Sequence, residues 1–182
     1  MDVVSLRCHW FWWVLRRKLE MFKIPRSVLV VIHTPDSQVL VLERTKNPGF
    51  WQSVTGSVDT EDEPLRITAI REVREETGID ATAPNHVLTD WQHTNRYEIY
   101  QQWASRYAPG VTHNTEHVWG LQIPHAIAPT LTEHLAYAWL PWRAAAEKCF
   151  SWTNVEAIRR LGGESPRAKP RDEVLVTNGV SP

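Results

Sequence analysis

The order of apolar and polar positions predicts strands and helices that alternate along the chain. Residues 27–32 and 39–43 are short apolar runs rich in Val, Leu and Ile, and a turn-forming segment separates them. Both runs are therefore predicted strands. Further extended segments are predicted at residues 51–55, 87–92, 96–104, 116–123 and, more weakly, 137–140.

Helical periodicity is clearest after residue 63. Pro64 suits the first turn of a helix, where its missing N–H would have no partner, and Gly78 suits a left-handed cap at the end. Asp62 and Glu63 are expected at the start, where the helix dipole favours negative charge. The apolar positions in between recur at the spacing of one buried face: Leu65, Ala69, Ile70 and Val73.

A second helix is predicted over residues 153–161. Thr153 is placed to cap its first turn, Glu156 follows three residues later, and Gly162 follows the end. Its buried side is expected to consist of Val155, Ile158 and Leu161. The alternation of strands and helices favours an α/β fold, with a mixed sheet between helices.

Length, charge and cysteine content narrow the class of protein. The 182 residues correspond to about one domain, and the formal net charge is −1. This near balance argues against a general binder of nucleic acid or of anionic membranes. Two cysteines form no disulfide framework and suit a reducing compartment, so a cytoplasmic location is expected. No feature of the sequence specifies an oligomeric state.

The two ends differ in composition from the middle. Residues 1–20 contain a Trp-rich apolar run between basic residues, too short to span a bilayer and without the features of a signal peptide. We interpret them as an extension ahead of a domain that opens at Met21, with a short interfacial helix as the alternative. Residues 164–182 are rich in Pro, Gly and charge and are predicted to be a flexible tail. The domain is therefore expected to cover residues 21–163.

Three glutamates of the first predicted helix suggest a cation site. Glu72, Glu75 and Glu76 lie at i, i+3 and i+4, so their carboxylates share one face. Like charges at this spacing weaken a helix by about 0.2–0.5 kcal/mol per pair. Mg²⁺ prefers carboxylate oxygens together with substrate phosphates. Arg71 is placed to orient a carboxylate by a charged hydrogen bond. The alternative is a solvated acidic face.

Residues 56–79, GSVDTEDEPLRITAIREVREETGI, resemble the Nudix box, G-x5-E-x7-R-E-U-x-E-E-x-G-U with U aliphatic. The positions from Glu63 to Ile79 match throughout. Gly56 and Glu63 are separated by six residues instead of five, which we interpret as one inserted residue in the loop before the helix. The resemblance implies the Nudix α/β/α sandwich and a Mg²⁺-dependent hydrolase, with Mn²⁺ as an alternative ion.

Between about residues 21 and 163 the chain also resembles a group within that family, the bacterial dihydroneopterin triphosphate pyrophosphatases, also described as dATP pyrophosphohydrolases. The shared stretches are FWQSVTGSV, RYAPGVT-x-NTE, TEHLAY and SW-x-N. The resemblance implies a small-molecule triphosphate substrate. It also implies release of pyrophosphate from dihydroneopterin triphosphate in folate synthesis, with the monophosphate as the other product.

The same resemblance implies roles for individual residues. Metal ligands and catalytic groups are implied at Glu72, Glu75, Glu76 and Glu133, with most weight on Glu72 and Glu76 and with Arg71 beside them. The general base stays open between Glu133 and a helix glutamate. Substrate contacts are implied at Lys23, Arg44, Thr55, Tyr97, Glu98, Ile99, Tyr100 and Ser151. Because side chains alternate along a strand, only two of residues 97–100 are expected to face the ligand.

Two other functions stay open. A non-catalytic Nudix-like binding module would keep the fold and lose the catalytic glutamates, whereas here all the helix glutamates are present. General hydrolysis of (deoxy)nucleoside triphosphates such as dATP, or cleavage of dinucleotides or ADP-ribose, is the second alternative. Purine and pterin rings offer similar hydrogen-bonding edges, so dATP turnover would not exclude a pterin substrate.

Overall fold

A seven-stranded mixed β-sheet with helices on both faces makes up the part of the chain that the structure describes, residues 22–163 of a computed structural model. The extension and tail predicted at residues 1–20 and 164–182 lie outside the described residues. Within residues 22–163, no helix is long and apolar enough to cross a membrane.

The elements follow the predicted alternation. The strands are β1 (Arg26–His33), β2 (Gln38–Arg44), β3 (Trp51–Gln52), β4 (Val54–Ser57), β5 (Val87–Glu98), β6 (His113–Gln122) and β7 (His134–Pro141). The helices are α1 (Leu65–Thr77), α2 (Trp142–Lys148) and α3 (Trp152–Leu161), and a 3₁₀ helix, Gln101–Arg106, follows β5.

Strand β1 lies at the centre of the sheet. It runs parallel to β6 along its whole length and antiparallel to β4. Its register with β2 is confined to the pair His33 and Val39, next to the turn. Strand β2 instead pairs with β3 and β7. The two central hairpin strands therefore separate towards the start of β1 and the end of β2, and this opening positions the site described below.

Two apolar layers cover the two faces of β1. Val28 and Val30 pack in the cluster that contains Val73 of α1. Leu29, one position along from Val28, packs in the cluster that contains Ile158 of α3. A strand covered on both faces reads as a continuous apolar run, which is why residues 27–32 show no polar alternation. The layers confirm the predicted α/β/α sandwich.

Helix α1 begins later than its acidic flank suggests. Pro64 is the cap residue and no acidic side chain lies in the first turn, so Asp62 and Glu63 precede the helix. The Glu63 carboxylate instead accepts from the backbone N–H of Asp59 at 2.5 Å. The end of the helix is as predicted, because Gly78 takes a left-handed φ of 70° and donates its N–H to the carbonyl of Arg74.

Two other local predictions are wrong. The predicted extended segment 96–104 ends early, since β5 stops at Glu98 and the chain enters the 3₁₀ helix. Tyr100 and Trp103 are three positions apart, which is one turn of a 3₁₀ helix. Their rings make an edge-on contact with centroids 5.2 Å apart. Helix α3 is capped by Ser151 and not by Thr153, because the Ser151 side chain accepts from the backbone N–H of Asn154 at 3.3 Å. Helix α2 was not predicted.

Candidate active site

A cavity of about 510 Å³ opens where β1 and β2 separate. This volume is typical of a small-molecule site. Ser27 near the start of β1 and Arg44 at the end of β2 both line it. Of the residues predicted for the site, the cavity brings together Lys23, Arg44, Thr55, Glu76, Tyr97, Tyr100, Glu133 and Ser151.

Glu76 is a buried carboxyl group at this cavity. Its carboxylate accepts from the backbone N–H of Thr55, while its Oε2 has no hydrogen-bond partner within residues 22–163. Burial raises its pKa well above the ordinary value, and the neighbouring carboxylates of Glu72 and Glu133 raise it further. The Nε2 of His134 lies 4.0 Å from Oε2, and burial lowers the pKa of this imidazole. His134 is therefore neutral at pH 7 and does not supply Glu76 with a compensating cation.

Glu72 is positioned by Arg71 and by Gly56. The Arg71 guanidinium donates to Oε1 of Glu72 at 2.8 Å and to the carbonyl of Ser57 at 2.9 Å. A methyl group on Gly56 would overlap the Glu72 carboxylate, so β4 and α1 approach at this point only because residue 56 lacks a side chain. Burial raises the pKa of Glu72, and the charge of Arg71 opposes this shift.

The segment before α1, which is one residue longer than in the motif, forms a turn. Glu63 donates its N–H to the carbonyl of Thr60 at 3.2 Å. Its carboxylate still meets Arg71, with 3.4 Å between Oε1 and Nε. The first glutamate of the motif therefore keeps its arginine partner despite the longer spacing from Gly56.

Glu75 differs from its two neighbours on α1. Its side chain is 58% exposed, against 13% for Glu72 and 9% for Glu76, and of the three only Glu76 lines the cavity. Its Oε2 accepts from Arg71 at 3.1 Å. The structure therefore places Glu75 beside the arginine, outside the space that Glu76 faces.

Two threonines attach the Glu133 loop to the site. Thr132 donates its hydroxyl to the carbonyl of Glu75 on α1 at 2.6 Å. Thr45, next to the end of β2, donates to the carbonyl of Glu133 at 2.6 Å. The loop ahead of β7 is thus tied to both walls, and this brings the Glu133 side chain to the cavity although it is far from α1 in sequence.

The donor chemistry of these carboxylates fits a hard divalent cation. The charges of Glu72 and Glu133 lie close enough to Glu76 to destabilise its anionic form. One oxygen of Glu76, Oε2, also has no hydrogen-bond partner in the described chain. Oxygen donors of this type are those that Mg²⁺ prefers. Among the described residues, no three His, Cys, Asp or Glu side chains converge into a ready-made metal cluster.

Cations face the same carboxylates. Burial lowers the pKa of Lys23 and the charge of Arg106 lowers it further, whereas Glu72 and Glu133 oppose the shift. Lys23 donates its backbone N–H to the carbonyl of Arg106 at 2.8 Å, which holds these residues together. Arg44 donates to Oε1 of Gln52 at 2.7 Å and lies 5.2 Å from the centroid of the Trp103 ring. The cavity thus combines acidic groups with donors suited to phosphate.

Two of residues 97–100 line the cavity. They are Tyr97 and Tyr100, three positions apart, because the strand ends at Glu98 and strict alternation stops there. Ile99 is buried and Glu98 is exposed, and neither lines the cavity. The Tyr97 hydroxyl accepts from Nδ2 of Asn114 at 3.0 Å.

Several lining residues were not predicted. They include Gln52, Trp103, Arg106, Asn114, Glu116, His134 and Phe150. A signal existed for two of them: Asn114 and Glu116 are spaced by two at the start of β6, so they share one face of the strand, and both are buried. Buried polar side chains need hydrogen-bond partners, and a ligand in the cavity can be such a partner for Asn114 and Glu116.

Comparisons with known proteins agree with this geometry. A family model described as the NUDIX domain matches residues 23–161. The chain is 48% identical over 145 residues to dihydroneopterin triphosphate diphosphatase of Escherichia coli (strain K12), covering 79% of this chain and 96% of that protein. It is 39% identical over 143 residues to the protein of the same name from Haemophilus influenzae, covering 78% and 90%. A solved structure of the E. coli dihydroneopterin triphosphate pyrophosphohydrolase superposes with a TM-score of 0.72 and covers 76% of this chain and 95% of that one.

Proposed function

The chain belongs to the Nudix family, and we propose that it hydrolyses dihydroneopterin triphosphate to dihydroneopterin monophosphate and pyrophosphate, a step of folate synthesis. One observation carries the proposal. A single cavity holds the acidic groups Glu76 and Glu133, the cations Lys23 and Arg44, and an aromatic and polar wall that suits a ring. The similarity to the two dihydroneopterin triphosphate diphosphatases supports the choice of substrate.

We propose Mg²⁺ as the metal ion, with Mn²⁺ as an alternative, held by Glu72, Glu76 and Glu133. The unpaired Oε2 of Glu76 and the raised pKa of this buried carboxyl support the assignment, because a cation would stabilise its charged form. When bound, a divalent cation neutralises phosphate oxygens and lowers the pKa of water. Glu75 is proposed to act with Arg71 in setting the position of Glu72.

The protein's own groups then bind and orient the triphosphate. Lys23 and Arg44 are proposed to donate to its oxygens, and the Thr55 backbone holds Glu76 while its hydroxyl accepts from Nε2 of Gln52 at 3.2 Å. Charge that develops on the departing pyrophosphate would be stabilised by these fixed cations. Tyr97, Tyr100 and Ser151 line the part of the cavity proposed for the ring and its side chain.

A carboxylate is proposed to remove the proton from the attacking water. Glu133 suits this role because its side chain is exposed at the cavity while its backbone is fixed by Thr45. A helix glutamate is the alternative base. The pH profiles of kcat for Glu133→Gln and Glu72→Gln separate the two, since only loss of the base removes the acidic limb of the profile.

The test of the proposal is a comparison of kcat/KM for dihydroneopterin triphosphate with kcat/KM for each deoxynucleoside triphosphate, with the products identified. We expect the pterin substrate to have the highest value. Equal values for all substrates, or a clear preference for one nucleotide, would contradict the proposal.

Hydrolysis of (deoxy)nucleoside triphosphates, dATP among them, is the second candidate. The observation that favours it is the chemistry of the cavity, because a purine can also contact the Tyr97 and Tyr100 rings while its phosphates meet Lys23 and Arg44. The same kinetic comparison decides between the two.

A further inference from the structure

A patch of polar side chains interrupts the apolar face of the sheet beside the cavity. On β6, Glu116 stands opposite Ser27 of β1 and opposite Asn95 of β5. Asn114, two residues earlier on the same face, stands opposite Tyr97 of β5. Residues that are paired across strands share a face, so these five side chains form one continuous patch.

The same face is apolar beyond the patch. Leu29 of β1 stands opposite Val118 of β6, and both are fully buried in the cluster with Ile158 of α3. Ser27 and Glu116 lie one step closer to the cavity, line it, and are also buried. The change from apolar to polar therefore coincides with the cavity wall, where a ligand can use the polar groups.

Glu116 is the only acidic member of this patch. Its side chain accepts from Nδ2 of Asn95 at 3.2 Å and from the hydroxyl of Thr153. Within the described chain, no Lys, Arg or His pairs with it, and burial raises its pKa to about 7. A buried carboxyl held by neutral donors alone is costly to a fold unless a ligand uses it.

We propose that Glu116 recognises the ring of the substrate, by accepting hydrogen bonds from two adjacent N–H donors on its 2-amino-4-oxopyrimidine edge. This inference rests on the proposed function. Dihydroneopterin carries this edge as a ring N–H beside an amino group, and guanine carries the same pair. A carboxylate has two acceptor oxygens that match the two donors. Adenine offers an amino group beside a ring acceptor, so a carboxylate can accept one hydrogen bond from it instead of two.

The position of Glu116 relative to the acidic groups suits this substrate. Ser57 of β4 pairs with Ser27 on one side of β1, and Glu116 pairs with Ser27 on the other side. Neighbouring strands lie about 4.8 Å apart, so the backbones of residues 57 and 116 are about 10 Å apart. Gly56, next to Ser57, adjoins the Glu72 carboxylate. Gly56 faces the α1 side of the sheet and Glu116 the α3 side, but the cavity that Glu116 lines is also lined by Glu76 and Glu133. A ring at Glu116 can therefore direct its triphosphate through this cavity towards the glutamates.

The test is Glu116→Gln, assayed with dGTP and dATP in parallel. A glutamine amide offers one acceptor and one donor, the pattern that matches adenine and not guanine. The ratio of kcat/KM for dGTP to kcat/KM for dATP should fall by about ten- to a hundredfold relative to wild type. Because both substrates are measured on one preparation, partial unfolding of the variant does not affect this ratio. Glu147→Gln, an exposed change on α2, is the matched control and should leave it unaltered.

Dihydroneopterin triphosphate is measured in the same series, so that the two proposals can fail separately. A parallel loss for dGTP and dihydroneopterin triphosphate, with dATP retained, supports the assignment of Glu116. A wild-type protein that ignores the pterin substrate but shows the change in the nucleotide ratio would overturn the proposed function and keep the role of Glu116. An equal loss for all three substrates would overturn that role, because it is the result of structural damage.

Discussion

The Glu72 carboxylate occupies the space that a side chain at residue 56 would need. Gly56 belongs to β4, and Glu72 belongs to α1, whose buried face packs on the sheet. The absence of a Cβ thus lets the strand approach the carboxylate, while Arg71 fixes that carboxylate from the other side. The contact explains in physical terms why the motif opens with glycine.

Gly56→Ala should therefore displace the Glu72 carboxylate and lower kcat by about a hundredfold, the scale of a misplacement of about 1 Å in a catalytic group. The measurement is kcat per mole of folded protein. Gly120→Ala is the matched control, since its new methyl group would meet the Trp91 ring on another part of the sheet. The control should lose stability and keep kcat. Equal kcat values for the two variants would contradict this role of Gly56.

Glu76→Gln should lower kcat at least about a hundredfold, because it removes a carboxylate proposed to hold the metal ion. The change is nearly isosteric and removes a buried carboxyl group whose pKa is raised well above its ordinary value. The melting temperature should therefore hold or rise. Glu75→Gln, in the exposed neighbour outside the cavity, should lower kcat less than tenfold. Near wild-type activity of Glu76→Gln at saturating Mg²⁺ would exclude the assignment.

Arg71→Lys should weaken the binding of Mg²⁺. The arginine contacts four acidic side chains and one carbonyl, and a single ammonium cannot replace this set: Asp59, Glu63, Glu72, Glu75 and Ser57. The Mg²⁺ concentration for half-maximal rate should rise about ten- to a hundredfold. Arg74→Lys, which changes one donor to the Gly78 carbonyl, is the control and should leave the titration unchanged. Superimposable titrations for both variants would show that Arg71 does not position the ligands.

Glu116→Gln should stabilise the protein at high pH and not at low pH. The folded state raises the pKa of Glu116 from 4.5 to about 7, so between these values it binds more protons than the unfolded state. The free energy of unfolding of the wild type therefore falls as pH rises from about 4.5 to 7, by at most about 3 kcal/mol. The Glu116→Gln variant has no carboxyl group to titrate at this position, so its free energy of unfolding does not fall for this reason. Urea unfolding of both proteins at pH 5 and pH 8 measures the difference in their free energies of unfolding. A difference that is the same at both pH values would refute the prediction.

Much of this architecture is accessible from sequence because its signals are local. The apolar run of β1 and the cap at Gly78 each depend on neighbours in the chain. The 3₁₀ helix is not predicted from the sequence, because aromatic residues such as Tyr100 and Trp103 are also typical of strands. Only the structure shows their edge-on contact. Local patterns therefore located the elements better than their ends.

The site was only partly accessible for a different reason. Arg71 and its neighbouring glutamates are close in sequence, so their grouping follows from helix geometry. Glu133 reaches the cavity through the contacts of Thr45 and Thr132, and no local pattern encodes those. Glu116 could have been noticed as a charged residue on a buried strand face, but its partner Asn95 comes from another strand.

The central claim is most directly tested by ³¹P NMR of the wild-type protein acting on dihydroneopterin triphosphate with Mg²⁺. The account predicts that the triphosphate signals are replaced by equal amounts of pyrophosphate and a phosphate monoester, and that the Glu76→Gln sample retains the triphosphate. Release of orthophosphate as the main product, or an unchanged substrate in the wild-type sample, would contradict the account.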